Sequence, residues 1–268
     1  LSLSPPLSRN PFRTVDDYPG TATYFEQRQV FGGSYNRPDT SWYSKIGQPY
    51  NMTVSVPAKA DDAITASLNS RKVNEIRHFV PGNDLIVFTS GSEWRVNSGQ
   101  DSAFEVATIK QKPQSEYGSS HLPPIKIGST ILFVPPTKAS VRSFGYSIQI
   151  DGYTGADLTL LADHLLEANQ IVSWAYSRSP DPIVYSVRTD GMALALTYEK
   201  DQEVVAWTRW KTKGRFERVC TLRAAADERD EVAYFVVRRR VRGRWVRYIE
   251  RTRPRRLTDI RDSFFVDS

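Results

Sequence analysis

Between residues 183 and 210 apolar and polar positions alternate with a period of two, interrupted by turn-forming residues. Met192, Leu194, Leu196 and Tyr198 alternate with Ala193, Ala195 and Thr197, which describes a strand with one bulky and one small face. Ile183, Tyr185 and Val187 alternate in the same way, and only Thr189, Asp190 and Gly191 separate the two runs. Asp-Gly supplies the positive φ angles that a tight hairpin requires. Residues 171–176 upstream and 204–210 downstream complete a four-stranded meander.

The pattern recurs. Units comparable to the one that starts at Ile171 begin near Thr21, Val73, Leu122 and Phe216, at intervals of 45 to 52 residues. The second unit reads as strands over 73–80, 84–89, 93–96 and 104–109, and the third as strands over 124–127, 130–134 and 141–147. The fifth reads as strands over 215–222, 232–238 and 245–250, with Arg242-Gly243 as its last turn. One such sheet cannot cover its own apolar face, whereas stacked sheets cover one another. The expected fold is therefore all-β, a β-propeller-like array of four-stranded antiparallel blades, with a β-sandwich as the alternative. Residues 1–20 read as an N-terminal extension or linker and 21–268 as the propeller-like domain, expected to be part of a longer chain. One short helix is predicted over 157–167 (DLTLLADHLLE), with Asp157 as its cap and Leu158, Leu161 and Leu165 on one face.

Composition narrows the chemistry. With 40% hydrophobic and 12% aromatic residues the chain is expected to fold. A single cysteine, Cys220, excludes an internal disulfide framework and a CxxC-type zinc site, and its place in a predicted strand makes it a packed core residue. No apolar run reaches the length needed to cross a bilayer, and residues 1–11 lack the charged start and apolar centre of a signal peptide, so a soluble chain without membrane insertion is expected. His78, His121 and His164 are far apart and show no HExxH or HxH spacing, so no metal or cofactor is expected. No nucleophile elbow, phosphate-cradling glycine loop or calcium-binding loop occurs. The pairs Asp16-Asp17 and Asp61-Asp62 sit in turn-like contexts, which leaves a glycosidase assembled from distant loops as a rival reading.

Charge adds one feature. The net charge is +6, yet residues 209–256 hold 17 Lys and Arg against 6 Asp and Glu. In VVRRRVRGRWVRYIERTRPRR, Arg238 and Arg240 share a strand face, Arg244 follows the turn, and Trp245, Arg247, Ile249 and Arg251 share a face of the return strand. Arginines interleaved with aromatics hold phosphate backbones without reading bases. The other reading is a solvated edge hairpin whose charge prevents aggregation, with Asp227, Glu228, Asp230 and Glu231 available as partners.

Several stretches together resemble a known family. They are TYFEQRQVFGGSYNRPDTSWYSKIGQPYNM (23–52), SGSEWRV (90–96), YGSS (117–120) with PPIKIGSTILFV (123–134), VRSFGYSIQIDGYTGADLTLLADHLL (141–166), LTYEKDQEVVAWTRW (196–210) and FFVDS (264–268). In this order they resemble the tail nozzle proteins of short-tailed phages and related prophages, also called tail tubular or packaged-DNA stabilisation proteins. Pro135-Pro136-Thr137-Lys138 stands where that family has a Gly-rich turn. The resemblance implies a structural virion protein, not an enzyme, made in the bacterial cytoplasm and assembled as a ring, expected to be a homohexamer, below the portal and adaptor. Double-stranded DNA would pass through that ring without being read, and the ring would help retain and then release the genome. The candidate lumen-facing residues are Arg238, Arg240, Arg244 and Arg247. Loop aromatics Tyr35, Tyr43 and Tyr50 are the candidate subunit contacts, while Trp42 in the strand 41–44 is expected to pack within its blade. The alternative is a receptor- or carbohydrate-binding propeller of the tail, whose loop aromatics would stack on sugars.

Overall fold

The computed structural model describes residues 10–99, 103–223, 230–253, 259 and 261. These form five antiparallel sheets, consistent with a propeller-like array of blades. Sheet one is β1 (Thr21–Phe25), β2 (Arg28–Gly32), β3 (Thr40–Tyr43) and β4 (Ile64–Ser67), and sheet two is β5 (Ile76–Pro81), β6 (Leu85–Thr89), β7 (Glu93–Asn97) and β8 (Lys110–Ser115). Sheet three is β9 (Ile125–Ile127), β10 (Thr130–Phe133), β11 (Arg142–Ser147) and β12 (Gly152–Thr154). Sheet four is β13 (Ile171–Ser177), β14 (Ile183–Arg188), β15 (Ala193–Glu199) and β16 (Val204–Trp210). Sheet five is β17 (Gly214–Arg223), β18 (Glu231–Val241) and β19 (Arg244–Arg251), three strands among the described residues.

The chain divides into two compact units, Leu1–Pro136 with Ser143–Ala156, and Thr137–Arg142 with Asp157–Ser268. In the first, alternation along β6 feeds two cores. Leu85 and Val87 pack with Phe25, Val30, Tyr43 and Trp94, whereas Ile86 and Phe88 pack with Ile131, Phe133 and Phe144. A strand buried on both faces needs apolar side chains throughout, and LIVF meets that need. Phe12 packs edge-on to Phe31 and Trp42, at 5.2 and 5.4 Å between ring centroids, so the predicted extension is tied to sheet one from that residue onward. In the second unit, Ile183, Tyr185, Val187, Ala193 and Ala195 of sheet four pack against Val219, Ala233, Phe235 and Val237 of sheet five.

Several sequence expectations change in detail. The helix over 157–167 shrinks to one 3₁₀ turn, Asp163–Leu165. Asp157 Oδ1 accepts from the Thr159 N–H and hydroxyl, a local alternative to helical bonding, and the buried positions become Leu158, Ala162, Leu165 and Leu166, with Leu161 exposed. Residues 104–109 are not the fourth strand of sheet two. Phe104 instead fills the core beside Phe25 and Tyr43, and the polar β8 takes the edge, where Pro113 is tolerated. The 189–191 hairpin takes positive φ at Gly191 alone, as three-residue loops do. Cys220 is exposed, contrary to expectation, because a bulge between Phe216 and Arg218 resets the alternation of β17.

Candidate nucleic-acid interface

The bulge in β17 also determines what sheet five presents. It adds one residue, Glu217, between Phe216, opposite Val237, and Arg218, opposite Val236. Phe216 and Val219 therefore both turn toward sheet four, with Phe216 at 5.1 Å from Phe235, while Arg215 and Arg218 turn away from it. On the same outer face β18 and β19 pair Arg238 with Arg247, Arg240 with Trp245, Val236 with Ile249 and Tyr234 with Arg251. Cross-strand pairing thus gathers Arg215, Arg218, Arg238, Arg240, Arg247 and Arg251 on one face.

Three of the four predicted arginines join that face. The Arg238 guanidinium lies 4.8 Å from the centre of the Trp245 ring, and Trp245 is 53% exposed. Arg247 Nε donates to Glu217 Oε2 at 2.6 Å, which pulls the Glu217 carboxyl below its usual range and raises the guanidinium. Arg240 makes no ion pair with a described residue. Arg244 pairs with Val241 across the turn, so it belongs to the opposite face and sits at the hairpin tip. Adjacent Arg239 also faces the other way and forks onto Glu250 at 2.6 and 2.8 Å.

Asp227 and Glu228 lie outside the described residues, and Glu231 Oε2 accepts from the Arg178 N–H at 2.6 Å. Two-residue alternation through FERV places Arg218 beside Phe216, so the sequence alone does not bring Arg218 to this face. Only the mismatch between Phe216 and Val219, both apolar and three apart, signals the bulge.

The predicted subunit contacts separate into two kinds. Tyr35 and Tyr50 are 84% and 97% exposed. Tyr43 is a correction. It is fully buried in β3, 5.3 Å from Phe104, with its hydroxyl accepting from Ser41 Oγ at 3.3 Å, and burial pushes its phenol up to about 12. Its period-two partner Ser41 also points inward, so an aromatic beside a loop is here a core residue. Trp42 is buried as well. Tyr50 borders a groove of about 630 Å³ with Phe12, Phe31, Pro49 and Met52.

His78 Nε2 lies 3.0 Å from the Ser120 carbonyl, and burial lowers its pKa. Among the described residues no group of three or more His, Cys, Asp or Glu could hold a metal ion, and no helix is long and apolar enough to cross a membrane.

No protein-family model matches this chain, and no curated protein matches it. Among solved structures it is similar to a protein from Lactobacillus plantarum, at 14% identity over 84% of this chain and 68% of that one, with a TM-score of 0.45.

Proposed function

We propose that this chain is a structural subunit of a phage tail nozzle, a ring of identical copies through which double-stranded DNA leaves the virion. The observation that carries the reading is the outer face of sheet five, where Arg238, Arg240 and Arg247 stand beside an exposed Trp245. DNA that must slide through a channel requires cations against phosphate and no base-specific contact, and a paired sheet keeps those cations at fixed spacing. The sequence resemblance supplies the assembly: copies of itself, expected as a hexamer, with the portal and adaptor above. In a closed ring each contact is heterologous, and exposed Tyr35 and Tyr50 are available for it. In this reading the protein resides in the virion tail and has no catalytic role.

The test is DNA affinity as a function of salt. A random-sequence duplex should bind weakly, and replacing Arg238, Arg240, Arg244 and Arg247 with Ser should reduce the slope of log affinity against log salt by about 3 to 4. An unchanged slope removes the hairpin from that role.

A further inference from the structure

Among the described residues β19 is an open edge, and its sheet has three strands where the other four have four. Arg242 and Gly243 both take positive φ, 48° and 80°, so a two-residue turn joins β18 to β19 and Val241 and Arg244 exchange both backbone bonds. In that phase Val246, Tyr248 and Glu250 direct their N–H and C=O groups at β18, and the Thr252 N–H continues it by donating to the Ala233 carbonyl at 2.9 Å. Trp245, Arg247, Ile249 and Arg251 therefore present their backbone N–H and C=O groups to the open edge.

Apolar side chains stand among the charged ones on both faces of this edge. Ile249 is 78% exposed on the face that carries Trp245, and Val246 and Tyr248 are exposed on the other face. An edge of this kind is a template for another strand. Charge decides which strand. β19 carries Arg244, Arg247 and Arg251 against a single carboxylate, Glu250, which Arg239 already holds. A second β19 alongside would bring three further arginines and only one carboxylate, an unfavourable charge balance, whereas an acidic strand would offset the charge.

We propose that the β19 edge accepts an extended acidic segment of a partner protein as the fourth strand of sheet five. Main-chain bonds at Trp245, Arg247, Ile249 and Arg251 hold the segment, and the arginines select its carboxylates. The inference does not rest on the nozzle reading. DNA would lie across the arginine face, whereas the added strand lies along its edge.

The probe is a fluorescent nonapeptide alternating Glu with Val and Thr, compared with its Lys counterpart and with a copy N-methylated on alternate residues, each titrated into the full chain. The acidic peptide should bind and slow amide exchange at residues 245–251, while the other two should not. Ile249→Pro removes one outward N–H and leaves the β18 ladder intact, so it should weaken peptide binding about tenfold or more while Ile249→Thr stays near the parent. Ile249→Pro should leave DNA affinity unchanged, which separates failure of this inference from failure of the nozzle reading. Equal binding by the N-methylated peptide or, with folding intact, by Ile249→Pro would overturn the proposal, as would absence of acidic-peptide binding. Preferential binding of a peptide of residues 257–268, or dimerisation lost in Ile249→Pro, would overturn it in favour of the chain's own tail or a second copy.

Discussion

Arg28 in sheet one and the arginines of sheet five put the same side chain to opposite uses. Arg28 is fully buried and donates to the carbonyls of Ser44 at 2.7 Å, Asp62 at 2.6 Å, Ala60 at 3.1 Å and Phe104 at 3.2 Å. Asp62 beside it is also buried, accepting from the N–H groups of Ser55 and Lys59 at 2.8 Å and from Lys45 Nζ at 3.0 Å. Such a knot holds the long connection from β3 to β4 and the residues around Phe104 against sheet one, in place of regular backbone pairing. On the outer face of sheet five Arg238 meets the Trp245 ring, Arg247 meets Glu217, and Arg240 has no ion pair with a described residue. A guanidinium whose Nη atoms are held by carbonyls from within ties chain segments together, while one left open is available to a partner.

The largest expected effect breaks the knot. Arg28→Met leaves several buried carbonyls without donors and should lower unfolding free energy by about 3 kcal/mol, read by denaturant titration, with DNA affinity per folded molecule unchanged. The four-arginine Ser variant should do the reverse, shifting stability by about 1 kcal/mol or less while DNA binding falls. If both variants lose stability alike, the contrast between the two regions fails.

Acid should separate the regions next. Burial alone would raise the Asp62 carboxyl, but the Lys59 and Ser55 N–H groups, Lys45 and the Ser55 hydroxyl outweigh it and hold the carboxyl well below the usual range. A depressed folded value stabilises above the unfolded value of about 4, and that stabilisation is lost as pH falls through and below it. Melting curves should therefore show an acid-dependent decline that Asp62→Asn flattens, whereas DNA affinity stays level between about pH 5 and 8 because guanidinium does not titrate there. The smallest effect belongs to Trp245→Ala. Loss of the Arg238 stacking should weaken DNA binding by about 1 kcal/mol, and a wholly neutral outcome would make Trp245 a bystander.

Much of this contrast was legible in the chain, and the part that was not has a physical cause. The meander at 171–210 was clear because Ala193, Leu194, Ala195 and Leu196 alternate without interruption, and Asp190-Gly191 marks the hairpin between β14 and β15. β8 was missed because KQKPQS is a polar edge strand with no apolar face. Glu217 hides a bulge, so the expectation of a packed Cys220 fails. Tyr43 was taken for a loop residue because TSWY is only four residues long, too short for its alternation to declare a face. Arg28 carried no signal at all, since its partners are carbonyls up to 76 residues away.

The central claim is that copies of this chain form a ring around DNA, and imaging the assembly tests it most directly. Mass photometry with negative-stain microscopy should be applied to the chain alone and with the portal and adaptor proteins proposed as its neighbours. The account predicts rings of about six copies with a central channel. A persistent monomer or trimer under both conditions would contradict it and favour a receptor-binding propeller.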